Sequence, residues 1–195
     1  FNAVFETLTV QLCIMWPPTS PTTSTAKSYW RPLTGLSDLM LSLTELLRWR
    51  SELHPDAVAL VDEHGDQVTY VELEHQIERC ALRWSALGIK RGDVVGVLDT
   101  NSTAFVVHLF GLARLQAVPA LLNWRLTPVE HRSLFDLIQP AAIVSSQNLI
   151  NQLPSNLPPI RIALHSDEEC PPTWVPDATE FIDGDLPPPP RPGDV

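Results

Sequence analysis

Apolar residues recur at helical spacing early in the chain. Leu39, Met40, Leu43, Leu46, Leu47 and Leu53 fall on one stripe, with Ser37 placed to cap its start and His54-Pro55 to end it. This pattern predicts an amphipathic helix whose leucines face a core. The period then shortens. Ala57 to Val61 and Gln67 to Thr69 flank Glu63-His64-Gly65-Asp66, where glycine supplies a positive φ, and predict a β-hairpin. Thr69 and Glu72 have the spacing of a capping box, in which the Thr hydroxyl accepts from the Glu72 amide and the Glu carboxylate reaches back to the Thr69 amide. The helix that begins there carries Leu73, Ile77, Ala81, Trp84 and Leu87 on one face, and Gly88 is placed as its C-terminal stop.

In the middle of the chain short apolar runs alternate with helical ones long enough to cross a sheet. A strand over Val94 to Leu98, a helix over about Thr103 to Leu115 and a strand over Val118 to Leu122 are predicted in turn. Thr127-Pro128-Val129-Glu130 opens another helix with a capping box and a proline at its first position, and that helix ends before Pro140. Ala142 to Val144 supplies a third strand. The fold class is therefore α/β, a βαβαβ unit with a parallel sheet and right-handed connections.

Composition divides the chain into three parts. Residues 1–35 read as a flexible leader, since Pro17 to Ser28 are rich in Pro, Ser and Thr. Residues 36–165 hold the predicted domain, to which Ile160 to Leu164 can add a strand. Residues 166–195 read as a proline-rich connector: Pro154 through Pro192 contain 11 of the 19 prolines, and Glu168 to Val195 is expected to run over the surface, ending in the extended Pro187 to Pro190. The chain opens on Phe1, which suggests a fragment with Met15 as a candidate natural start.

Thirteen basic against 23 acidic residues give a net charge of −10, which excludes a nucleic-acid partner. Cys13, Cys80 and Cys170 are odd in number and widely spaced, as expected of reduced thiols in a cytoplasmic protein. Phe1 to Met15 is too short to span a bilayer and has no basic leader, which leaves peripheral membrane association open.

The tests for chemistry are negative. The turn after Val94 to Leu98 reads Asp99-Thr100-Asn101-Ser102, without the glycines that let backbone amides approach a pyrophosphate, and Asn101 or Ser102 is accounted for as a helix cap. No Walker-type phosphate loop and no Gly-x-Ser-x-Gly elbow is present, and Ser145-Ser146 follow a strand without flanking glycines. His54 and His64 lie in turns, where polar residues need no special purpose. His75, His108 and His131 lie in predicted helices without metal-ligand spacing, so no metal site is expected.

Five fragments, in order, resemble the opening of the adenylate-forming (AMP-binding) superfamily. They are His54 to Leu60, Val68 to Leu73, Leu87 to Val95, Asn101 to Val118 and Leu122 to Glu130. Asn123-Trp124-Arg125-Leu126 is similar to the fatty-acyl and aryl acyl-CoA synthetases, whereas peptide-synthetase adenylation domains usually have an acidic residue at the first of these positions. Gln116 departs from the pattern, where a small Gly-type residue is common, and is expected to affect only packing near the second strand. The resemblance implies an N-terminal subdomain, incomplete relative to the family, of an enzyme that converts a fatty or aryl carboxylic acid with ATP, Mg²⁺ and CoA into acyl-CoA, AMP and pyrophosphate.

In that family the phosphate loop is rich in Ser, Thr and Gly and ends in Pro-Lys-Gly. It is expected just after a segment like Pro192 to Val195, so this chain ends before it. No catalytic or ATP-binding residue carries over to this sequence, and none of the cofactors is expected to bind it well. A C-terminal portion is expected to be missing, and the chain alone is expected to be inactive and prone to aggregate. What remains is a candidate acyl- or CoA-pocket rim at Asn123, Trp124 and Arg125. The competing reading has Asn123 shaping a turn and Arg125 capping or salt-bridging on the surface. The competing function is a non-catalytic α/β binding module that uses the sheet edge or the proline-rich tail.

Overall fold

The computed structural model describes residues 43–62, 64–164 and 171–177. In chain order these form α1 (Leu43–Leu53), β1 (Val58–Val61), β2 (Gln67–Thr69), α2 (Tyr70–Ala86), β3 (Val94–Leu98), α3 (Thr103–Arg114), β4 (Val118–Leu121), α4 (Pro128–Ile138), β5 (Ala142–Ser146), a 3₁₀ turn (Gln147–Gln152), β6 (Ile160–Leu164) and β7 (Val175–Pro176). The Ser37 cap, the N-terminal leader, Cys13, Cys170 and the polyproline run lie outside the described residues.

Local chemistry sets the element ends. Both predicted capping boxes form: Thr69 Oγ1 accepts from Glu72 N at 3.3 Å while Glu72 Oε2 accepts from Thr69 N at 2.8 Å, and Thr127 and Glu130 repeat the arrangement at α4. These amides hold both carboxyls below the ordinary glutamate range. Asp62 Oδ1 accepts from the His64 and Asp66 amides and, with Gly65 at φ +88°, closes the β1–β2 turn.

Helices α2 and α3 end in the same Schellman geometry. Ile89 N donates to Trp84 O and Gly88 N to Ser85 O; Ala117 N donates to Leu112 O and Gln116 N to Ala113 O. Gly88 fills the left-handed position of the first motif. Gln116, at φ +58°, fills that of the second. The departure at Gln116 is thus a matter of backbone conformation as well as packing, because the site asks for a φ that side chains with a Cβ resist.

The five-stranded sheet has the order β4-β3-β5-β6-β7, and every neighbouring pair is parallel. On one face α2 and α3 set Cys80, Ala81, Trp84, Leu112 and Leu115 against Val95, Val97, Val144 and Ile162. On the other, α4 sets Phe135 against Leu98, Ile143 and Ala163. A third cluster joins Leu60 of the hairpin and Tyr70, Leu73 and Ile77 of α2 to Val106 and Phe110 of α3. Gly111 allows α2 and α3 to touch, since a Cβ there would stand 2.8 Å from Cys80 Sγ. Arg114 binds Glu74 across the same pair at 2.6 Å.

Three sequence expectations change and one open choice is resolved. The leucine stripe of α1 is largely uncovered: Leu47 packs against the third cluster, but Leu46 and Leu53 are exposed, as is Trp49. The third parallel strand runs on to Ser146, so the buried Ser145 and Ser146 belong to it. Ser102, not Asn101, caps α3 and accepts from Phe105 N at 3.1 Å. Within the expected surface run from Glu168, the described residues 171–177 instead return to the sheet, with Val175 beside Ile162 and Trp174 buried in the α4-side core.

At the β4 edge, Val118 N and Leu122 N both donate toward the β3 side, so strand alternation turns the backbone of 119 and 121 outward. Position 119 is proline, which removes one of these outward donors and blunts the edge against further pairing.

His131, in the first turn of α4, is fully buried and neither ring nitrogen has a hydrogen-bond partner. Burial pushes its pKa down, against a smaller upward pull from Glu130. Each unsatisfied buried group costs about 1–3 kcal/mol, so His131→Leu is expected to raise the unfolding free energy by an amount in that range. Because the folded pKa lies below the ordinary value of 6.5, the unfolded chain takes up the proton first. Acidification below that pH therefore adds a further cost of keeping the ring neutral, and the variant should flatten the fall in denaturation midpoint between about pH 7 and 5. Gln116→Gly removes left-handed strain of about 1–2 kcal/mol and adds about 0.5–1 kcal/mol of unfolded-chain entropy, so a net gain of about 0.5–1 kcal/mol is expected in urea unfolding.

Candidate functional site

Chain order β3-α3-β4-α4-β5 sends one crossover over each face of the sheet. This opens a crevice where the connections from β3 and β5 diverge at their carboxyl ends, the place where parallel α/β sheets bind ligands. Three turns border this end: Asp99 to Ser102 after β3, Asn123 to Leu126 after β4, and the residues that follow Ser146 of β5.

The first turn is closed on itself. Asp99 is buried and accepts from Thr100 N at 2.7 Å, while its other oxygen accepts from Ser102 Oγ, which in turn caps α3. The Phe105 amide at the start of α3 is already capped and a carboxylate stands beside it, so this turn repels a phosphate group rather than cradling it. Among the described residues, no group of three or more His, Cys, Asp or Glu could hold a metal ion.

The second turn holds the three rim residues together. Asn123 Oδ1 accepts from Arg125 N at 3.0 Å and Asn123 O accepts from Leu126 N at 3.1 Å, an Asx-type turn that fixes the backbone. The Arg125 guanidinium lies 4.7 Å from the centre of the Trp124 ring, and both side chains are exposed. Asn123 therefore shapes the turn, as its chemistry predicted. Arg125 stacks on its neighbour rather than capping or salt-bridging. Such a pair, worth about 0.5–1 kcal/mol at an exposed site, presents a cation and an aromatic edge to solvent, a combination suited to a phosphate or a planar ring.

Sequence spacing gave no sign of a second constellation, inside the molecule. Cys80 Sγ lies 3.5 Å from His108 Nδ1, and His108 Nε2 lies 3.3 Å from Asp177 Oδ2, the connectivity of a nucleophile, a base and an orienting acid. The partners are 28 and 69 residues apart in the chain, beyond the reach of any local motif.

Two observations rule against nucleophilic chemistry here. Trp84 Nε1 donates to His108 Nδ1 at 3.0 Å, so the nitrogen that would take the thiol proton is already occupied. Cys80 is buried under Gly111, where even a methyl group would collide with its sulfur, and no substrate carbonyl has room. Burial disfavours a charged His108, and the Trp84 donor at Nδ1 opposes the upward pull that the Cys80 sulfur and the Asp177 carboxylate exert on its pKa. The indole N–H can only donate, so the tautomer assigned from its partners is the neutral ring with a lone pair at Nδ1 and its proton on Nε2, facing Asp177. The network is a packed polar contact, and its role is to hold.

Comparison with known proteins places this geometry in a family. The model for AMP-binding enzymes matches residues 47–195. The 2-succinylbenzoate–CoA ligase of Oceanobacillus iheyensis is 36% identical over 78 residues, 40% of this chain and 16% of its own length. The long-chain-fatty-acid–CoA ligase FadD13 of Mycobacterium tuberculosis is 36% identical over 92 residues, 47% of this chain and 18% of its own. The solved fatty acyl CoA synthetase of Mycobacterium tuberculosis superposes with a TM-score of 0.58 at 26% identity, over 65% of this chain and 27% of that one. The chain thus spans less than a fifth of the length of these two curated relatives. The resemblance read from Asn123-Trp124-Arg125-Leu126 and the four other fragments is borne out, as an N-terminal part of an adenylate-forming CoA synthetase, and the chain belongs to the AMP-binding enzyme family.

Proposed function

We propose that this chain contributes the first parallel sheet of an AMP-forming acyl-CoA synthetase acting on a fatty or aryl carboxylic acid, and that it does not adenylate that acid alone. The carrying observation is the family match over residues 47–195, joined to a carboxyl-end crevice that does not fit phosphate. Activation of a carboxylate by ATP needs the charge of the phosphates to be met by amides, a cation and a metal. In this chain the last lysine is Lys90, which precedes β3, and the Phe105 amide at the start of α3 is capped by Ser102.

Within this reading, ATP and Mg²⁺ serve the adenylation step, and no described residue of this chain is assigned to hold them. Trp124 and Arg125 are the residues proposed to meet a CoA phosphate or line the acyl pocket, with Asn123 fixing the turn that carries them. Their position at the carboxyl end of β4, their exposure and their stacked geometry support that assignment.

Acid-dependent ATP–pyrophosphate exchange tests the proposal. The purified 195-residue chain with Mg²⁺ and a panel of fatty and aryl acids is expected to give no exchange above a protein-free control. Clear exchange with any acid in the panel would overturn it.

A further inference from the structure

Residues 171–177 wrap the outer edge of β6 and touch both faces of the sheet. Trp174 is buried on the α4 side among Leu98, Ile143 and Ala163. Thr173 Oγ1 accepts from Arg161 Nη1 of β6 at 3.1 Å. Val175 and Pro176 form only a two-residue ladder with Ile162 and Ala163. A ladder that short has little stability of its own, and proline removes one of its donors.

What secures the end of this segment comes from the opposite helical layer. Asp177 Oδ1 accepts from Arg83 Nη1 of α2 at 2.7 Å, and Asp177 Oδ2 faces His108 Nε2 of α3. Arg83 Nη2 also donates to Pro176 O, and Asp177 N donates to Ala163 O at 2.9 Å. The Arg83 side chain is only 13% exposed, so this ion pair is shielded from water on one side. His108 is in turn fixed by Trp84, in the centre of the α2–α3 core. One carboxylate thereby ties the last described strand to two helices and to β6.

We infer that Asp177 is the buckle of a strap: residues 171–177 are held across the sheet edge by Arg83 and His108, and can undock there while the β3–β6 sheet stays folded. Local openings in folded proteins involve segments with few ladder bonds and a small share of the apolar core, and this segment has only a two-residue ladder.

Hydrogen exchange with peptide-level readout on the full chain tests this, comparing the parent with Asp177→Asn and Asp177→Ala. The amides of Trp174, Val175 and Asp177 are expected to exchange at least tenfold faster in both variants, with Val95 to Leu98 unchanged. Arg83→Gln, which leaves the carboxylate in place, should reproduce the local effect. Unchanged exchange at 174–177 would show that the ladder and Trp174 alone hold the segment. Acceleration at 174–177 and at Val95 to Leu98 together would show that the segment is part of the cooperative core. Either result overturns the inference.

Discussion

The structure depends on β3 being buried on both faces. Val95 and Val97 point into the α2–α3 layer and Leu98 into the α4 layer, all three without solvent exposure. Between them Gly96 faces α4 with no side chain, and this absence has a use: a Cβ there would stand 3.3 Å from Ile143 and 3.4 Å from Leu122. The neighbouring strands can therefore close over β3 with large side chains, which a parallel sheet covered on both sides requires. Once β3 is central, α3 and α4 must pass over opposite faces, and the crevice at the carboxyl ends follows from the connectivity.

Local features of the chain were legible because their causes are local. Thr69 with Glu72, Thr127 with Glu130, Gly88 after a helix and Gly65 in a hairpin each act within a few residues, and all four take the predicted roles. Alternating strand and helix runs sufficed for the parallel topology. Periodicity was less informative about partners: it marks the apolar face of α1 but not what lies opposite, and much of that face meets solvent. Proline content pointed to a surface connector after β6, yet Val175 and Pro176 within that stretch pair with the sheet edge. The contacts of Asp177 with Arg83 and His108 join residues 94 and 69 positions apart, and only the fold brings them together.

The candidate rim divides in the same way. Turn chemistry was enough to assign Asn123, whose side chain closes its own turn, whereas the stacking of Arg125 on Trp124 depends on rotamers that no spacing rule specifies. The Cys80, His108 and Asp177 set carries the opposite lesson. Its connectivity is that of a catalytic triad, but the Trp84 donor and the closeness of Gly111 turn it into a clamp. Connectivity alone does not make a site; an open position for a substrate atom is also needed.

Fold membership and chemistry separate here, since the family match is present while the turn after β3 at the carboxyl edge is closed on itself by Asp99 and Ser102. The most direct test is a calorimetric titration of the 195-residue chain with a non-hydrolysable acyl-adenylate analogue, which reports on the complete adenylation site without requiring turnover. The account predicts no saturable binding at concentrations up to about 1 mM, equivalent to a binding free energy weaker than about −4 kcal/mol. Saturable, stoichiometric binding in the micromolar range would contradict it, because the adenylate site would then be complete within these strands and turns.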